Sequence, residues 1–158
     1  MTFRDGPIQG VLVRALRRHA DARGWLVELY REDDLPAENR PLMAYVSQTL
    51  PGITRGPHEH RFQSDLFAFF GPGDFQLYLW DTRRDSPTYA CRQVLRAGES
   101  DPVQVVVPPG VVHAYKNVGP VPGLVFNCPD RLYAGRGRTE AVDEIRHEHF
   151  PQSPFLLD

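Results

Sequence analysis

The sequence predicts an all-β fold, an antiparallel sandwich or jelly-roll barrel, and three observations predict it. Fifteen prolines and thirteen glycines recur as punctuation between short apolar runs, the pattern of many strands joined by tight turns. Several of those runs alternate at period two: in 75–80, Gln76, Tyr78 and Trp80 share one face and Phe75, Leu77 and Leu79 the other. Strands do not alternate with helical segments, which excludes a parallel α/β sheet.

Taken in order, strands are expected over 8–16, 25–30, 42–49, 65–70, 75–80, 89–95, 103–107, 112–117 and 124–128. Turn residues stand between them, as in Leu50-Pro51-Gly52, Gly71-Pro72-Gly73-Asp74, Arg96-Ala97-Gly98 and Pro108-Pro109-Gly110. Only 139–149 has helical spacing, with Ala141, Val142 and Ile145 on one side. Trp25, Trp80 and most of the phenylalanines are expected in the core or the barrel wall.

A chain of 158 residues, 41% hydrophobic and 24% charged, suits a single domain over residues 1–158. With 18 basic against 20 acidic residues the net charge is −2, so no global field draws the chain to nucleic acid. Arginine supplies the basic charge and Lys116 is the only lysine. Cys91 and Cys128 have no paired spacing and read as buried thiols. With no apolar leader and no run of membrane-spanning length, a cytoplasmic location without membrane contact is expected.

The chemistry concentrates on histidine. On an extended strand, residues i and i+2 project to the same face, so His58-Glu59-His60 presents two imidazoles together. Gln63 and Asp65 follow as oxygen-bearing neighbours, and His113 comes later in Pro108-Pro109-Gly110-Val111-Val112-His113-Ala114-Tyr115-Lys116-Asn117. The segment from Gly52 through His58-x-His60 to Gly71 resembles the first motif of the cupins. Pro108-x-Gly110-x-x-His113-x-x-x-Asn117 resembles the second. The resemblance implies a double-stranded β-helix in which the two motifs are neighbouring strands at the barrel mouth, with His113 beside His58 and His60.

A narrower resemblance runs through most of the chain. Asp21-Ala22-Arg23-Gly24 with Glu28, Arg55-Gly56-Pro57-His58, Asp81-Thr82-Arg83-Arg84-Asp85-Ser86-Pro87-Thr88, Pro109-Gly110-Val111-Val112-His113 and Asp143 resemble stretches of the dTDP-4-dehydrorhamnose 3,5-epimerase family. The resemblance implies an isomerase of a 4-keto-6-deoxy-sugar nucleotide in dTDP-rhamnose biosynthesis, without cofactor. It puts His58 as base and Asp143 as the partner that orients it; Tyr133, close to the family's acid position, is expected either to substitute as the acid or to match a second family tyrosine that contacts the sugar. Arg23, Glu28, Arg55, His60 and His113 become substrate contacts, with Arg23 and Glu28 reaching over from a partner subunit of a homodimer. A base near a keto group is sound chemistry, since a histidine oriented by a carboxylate removes α-protons near neutral pH.

The chain departs from that family at two positions. The family's lysine falls at about Asp65 or Leu66, and its acid tyrosine at about Phe126, which carries no proton to transfer. Arg55-Gly56-Pro57-His58-Glu59-His60 also resembles the R-G-x-H-x-H of the sugar-nucleotide 3,4-ketoisomerases. Two readings outside proton transfer stay open. One is a metal cupin, a sugar isomerase or dioxygenase, with one divalent ion on His58, His60, His113 and an oxygen from Gln63 or Asp65. The other is a sugar-binding cupin without activity.

Overall fold

The computed structural model describes residues 2–158. Its strands, in chain order, are β1 (Arg4–Asp5), β2 (Leu12–Ala15), β3 (Arg18–Asp21), β4 (Gly24–Val27), β5 (Tyr45–Thr49), β6 (Thr54–Glu59), β7 (Asp65–Phe69), β8 (Asp74–Asp81), β9 (Cys91–Gly98), β10 (Val103–Val107), β11 (Val111–Asn117), β12 (Gly123–Asn127) and β13 (Ile145–Arg146). A six-stranded sheet in the order β1-β9-β8-β11-β6-β13 faces a five-stranded sheet in the order β2-β10-β7-β12-β5, and β3 and β4 form a separate hairpin. Every pairing is antiparallel except the short β1–β9 contact. This is the all-β jelly-roll barrel that the strand pattern predicts.

Alternation places the core. Phe75, Leu77 and Leu79 of β8 and Tyr115 of β11 point between the sheets and meet Phe67, Phe69, Val105, Val107 and Val125 from the other wall. Each such buried side chain contributes roughly 1.5–3 kcal/mol relative to exposure. Tyr78 and Trp80 face outwards, yet they are buried too. The chain's last segment returns over this outer face, with the Phe155 ring centroid 5.5 Å from that of Trp80. That cover explains why β8 is apolar on both faces.

The structure corrects two expectations. Residues 139–149 form no α-helix; β13 adds to the edge of β6, pairing Ile145 with Glu59 and Arg146 with His58, and a single 3-10 turn follows at His147–His149. So short a segment gains little from a costly helix nucleus, whereas β6 offers ready backbone partners. Trp25 is 53% exposed on the β3–β4 hairpin, edge-on to Phe70, and so lies outside the core that holds Trp80.

Candidate active site

β6 and β11 pair with His58 directly opposite His113. Gly56 makes that approach feasible. Its φ of +82° favours glycine, and a Cβ there would lie 2.5 Å from the His113 carbonyl oxygen. The His58 and His113 rings sit 4.3 Å apart between centroids, and His60, just past the end of β6, completes a trio 5.8 and 5.9 Å from them. The Pro108–Gly110 turn is tied to the same place, since the Gly110 N–H donates to the His60 carbonyl at 2.8 Å. The two histidine motifs therefore converge as their resemblance implies.

Opposite them, from the five-stranded sheet, comes Asp65, fully buried at the start of β7. Its Oδ1 accepts from the side-chain amides of Gln63 and Asn127, both at 2.9 Å. Its Oδ2 lies 3.1 Å from His60 Nε2 and 3.2 Å from His113 Nε2, but no aligned hydrogen bond satisfies it. Potential ligand atoms of His58, His60, Asp65 and His113 lie within 4.8 Å of one another.

The electrostatics divide the histidines. Burial, seconded by His113, pushes His58 down to about 2, so its imidazole is neutral with a free lone pair. Burial also works against a charge on His60. Its contacts with Asp65 and the Asp143 carbonyl outweigh that, holding it up at about 9. Burial would raise Asp65, but His113 and His60 together hold its carboxyl well below the usual range.

Asp143 plays a different part from the one expected. Its carboxylate accepts the backbone N–H groups of Arg61, Phe62 and Gln63 at 2.9, 2.8 and 3.1 Å, and its carbonyl accepts from His60 Nδ1. It therefore orients His60, not His58, because the turn after β6 offers three amides that a carboxylate satisfies at once. Gln63 is likewise corrected as an oxygen ligand: its NH2 faces Asp65, which needs a donor, and Asp65 supplies the oxygen.

The remaining expected residues spread out. Arg55 reaches across the open side between the sheets, donating to Thr49 Oγ1 at 3.0 Å and the Gln48 carbonyl at 2.7 Å. Tyr133 is 57% exposed, and its hydroxyl makes no hydrogen bond among the described residues. Arg23 pairs with Asp21 on the β3–β4 hairpin, and Glu28 lies 3.6 Å from Arg31, so neither joins the histidines within this chain.

Two site residues carry no sequence signal. Asn127 donates one amide hydrogen to Asp65 and, from the same nitrogen, another to the hydroxyl of Tyr45 at 2.8 Å. Tyr45 stands opposite Asn127 in the β5–β12 register, a pairing visible only once the strands are placed.

The set fits a divalent cation. The Nδ1 atoms of His60 and His113 face the carbonyls of Asp143 and Val111, so both Nε2 atoms point towards Asp65, and a cation bound there would replace the proton that His60 otherwise carries. Asp65 Oδ2 and His113 Nε2 are buried without hydrogen-bond partners.

A family model described as dTDP-4-dehydrorhamnose 3,5-epimerase matches residues 5–142. The chain is 37% identical over 115 residues to the spore coat polysaccharide biosynthesis protein SpsL of Bacillus subtilis, covering 73% of this chain and 75% of that protein. It is 36% identical over 127 residues to a probable low-salt glycan biosynthesis epimerase, Agl13, of Haloferax volcanii, covering 80% and 81%. A dTDP sugar isomerase structure from Desulfovibrio desulfuricans superposes with a TM-score of 0.81 at 24% identity, covering 94% and 91%. With the histidine strands meeting as the cupin resemblance implies and the family model spanning residues 5–142, the chain belongs to the dTDP-4-dehydrorhamnose 3,5-epimerase family of sugar isomerases.

Proposed function

We propose that this protein epimerises a 4-keto-6-deoxy-sugar nucleotide, with His58 as the base that removes a proton beside the keto group. One observation carries the reading: a neutral, buried His58 stands beside His60, which Asp65 and Asp143 hold in the charged form. Removing an α-proton requires a base and a positive partner for the enolate oxygen. By the resemblance the family's lysine falls at about Asp65 or Leu66, and His60, just past β6 on the opposite wall, restores the positive charge. His113 and Arg55 supply substrate contacts, the guanidinium suiting a phosphate or the keto oxygen.

Arg23 and Glu28 lie on a projecting hairpin, which supports a homodimer in which each hairpin serves the partner's nucleotide site. Among the described residues no helix is long and apolar enough to cross a membrane. The reading places the enzyme with cytoplasmic synthesis of dTDP-rhamnose or a related sugar. Incubation with dTDP-4-keto-6-deoxyglucose tests it: the reading expects a product inverted beside the ketone by NMR. A product with its keto group at C3 would make the enzyme a 3,4-ketoisomerase instead.

A second reading rests on the unsatisfied Asp65 Oδ2 and His113 Nε2. His58, His60, His113 and Asp65 would hold one divalent cation, which when bound polarises a keto oxygen as a Lewis acid. Elemental analysis before and after chelation decides it. Stoichiometric metal whose removal lowers the melting temperature supports the cation, and metal-free protein of full activity removes it.

A further inference from the structure

The site has a base on one wall and, by the resemblance, no acid where its relatives keep one: Phe126 stacks on Phe70 at 5.0 Å and has no proton to give. Epimerisation needs a proton returned to the face opposite the one deprotonated. His58 projects from the six-stranded sheet, so the returning group belongs on the five-stranded sheet.

Tyr45 stands there. It belongs to β5, whose inward positions each meet the site or the core. The Tyr45 hydroxyl meets Asn127, Ser47 meets the Tyr115 hydroxyl at 3.0 Å, and Thr49 meets Arg55. The NH2 of Asn127 donates one hydrogen to Asp65 Oδ1 at 2.9 Å and the other to the Tyr45 hydroxyl at 2.8 Å, so Tyr45 is the acceptor in that bond. The phenol's own hydrogen is then uncommitted. Although 48% of the residue is exposed, its hydroxyl end lies among Asn127 and the Asp65 charge. Burial of that end and the Asp65 charge keep the proton on the phenol, against the Asn127 hydrogen bond, which favours the phenolate.

We propose that Tyr45 is the catalytic acid, delivering its phenolic proton to the enolate carbon from the wall opposite His58. The proposal rests on the epimerase reading above. His58 takes the proton from the carbon beside the ketone; the C–H pair becomes the C=C bond of the enolate, and the carbonyl π pair moves to oxygen. The C=C pair then takes the Tyr45 proton, the carbonyl re-forms, and Tyr45 is left a phenolate. Water returns a proton to the phenolate and accepts one from the His58 imidazolium, so nothing else is consumed.

Tyr45→Phe keeps the ring and removes only the hydroxyl, and it separates the two half-reactions. In deuterated water with dTDP-4-keto-6-deoxyglucose, the variant is expected to lose epimer formation by about 100-fold or more. It should still place deuterium into recovered substrate, because His58 can exchange its proton with solvent and give it back to the same face. A merely structural role would lower exchange and epimerisation together, and that result overturns the proposal. Epimerisation at the wild-type rate overturns it too, as does loss in Tyr133→Phe with Tyr45→Phe unaffected. If the wild-type enzyme exchanges no keto-sugar nucleotide, the epimerase reading itself fails and this assignment with it; exchange in wild type with full activity in Tyr45→Phe overturns the assignment alone.

Discussion

Asp65 organises the site because it is a buried anion that three histidines and two amides surround. Breaking a buried charge arrangement by removing one partner costs roughly 3–5 kcal/mol. Asp65→Asn is therefore expected to lower the urea midpoint markedly at neutral pH, while an unchanged midpoint would show that the carboxylate carries no charge in the native state. His58 is the contrasting case. It is neutral and makes no ion pair among the described residues, so His58→Asn should fold with little change in melting temperature yet lose roughly 100- to 10,000-fold in epimerisation. His58 and His60 were legible in the sequence from their i, i+2 spacing, and His113 from the second cupin motif that its segment resembles. Tyr45 and Asn127 were not, since their contact depends on the β5–β12 register, which no local pattern encodes. Asp143 was legible as a site residue but not in its role, because its partners are backbone amides.

At the scale of elements, the Asp81-Thr82-Arg83-Arg84-Asp85-Ser86-Pro87-Thr88 stretch shows a motif doing structural work. The buried Asp81 carboxylate accepts from Arg83 Nε at 2.8 Å and from the hydroxyls of Ser86 and Thr88, both at 2.6 Å. It thereby closes the loop from β8 to β9. Burial would raise its pKa, but these donors together bring it to about 2. A depressed carboxyl stabilises the fold above its unfolded value of about 3.9, and that contribution is lost as pH falls towards 2. It amounts to about 2 kcal/mol. Asp81→Asn should therefore flatten the acid limb of the stability curve between pH 4 and 2, and an unaltered limb would contradict the assignment. Strand positions were read well wherever apolar alternation was strong, as in β8. The 139–149 segment was misread because a partner edge, β6, outweighed its weak helical spacing.

On the whole molecule, the β3–β4 hairpin and the edge strands β2 and β5 leave Val13, Trp25, Leu26 and Val46 exposed. With Arg23 and Glu28 remote from the histidines of their own chain, the homodimer proposed above would account for both observations. Light scattering at micromolar concentration is expected to give twice the 18.0 kDa chain mass, and a monomer that turns over at full rate would contradict that arrangement.

The central claim is that His58 removes a proton beside the keto group of a sugar nucleotide. The most direct measurement is NMR of dTDP-4-keto-6-deoxyglucose turned over in deuterated water by the wild-type enzyme and by His58→Asn. The account predicts deuterium at C3, and at C5 for double inversion, with wild type and none with the variant. Equal incorporation by both proteins would contradict it.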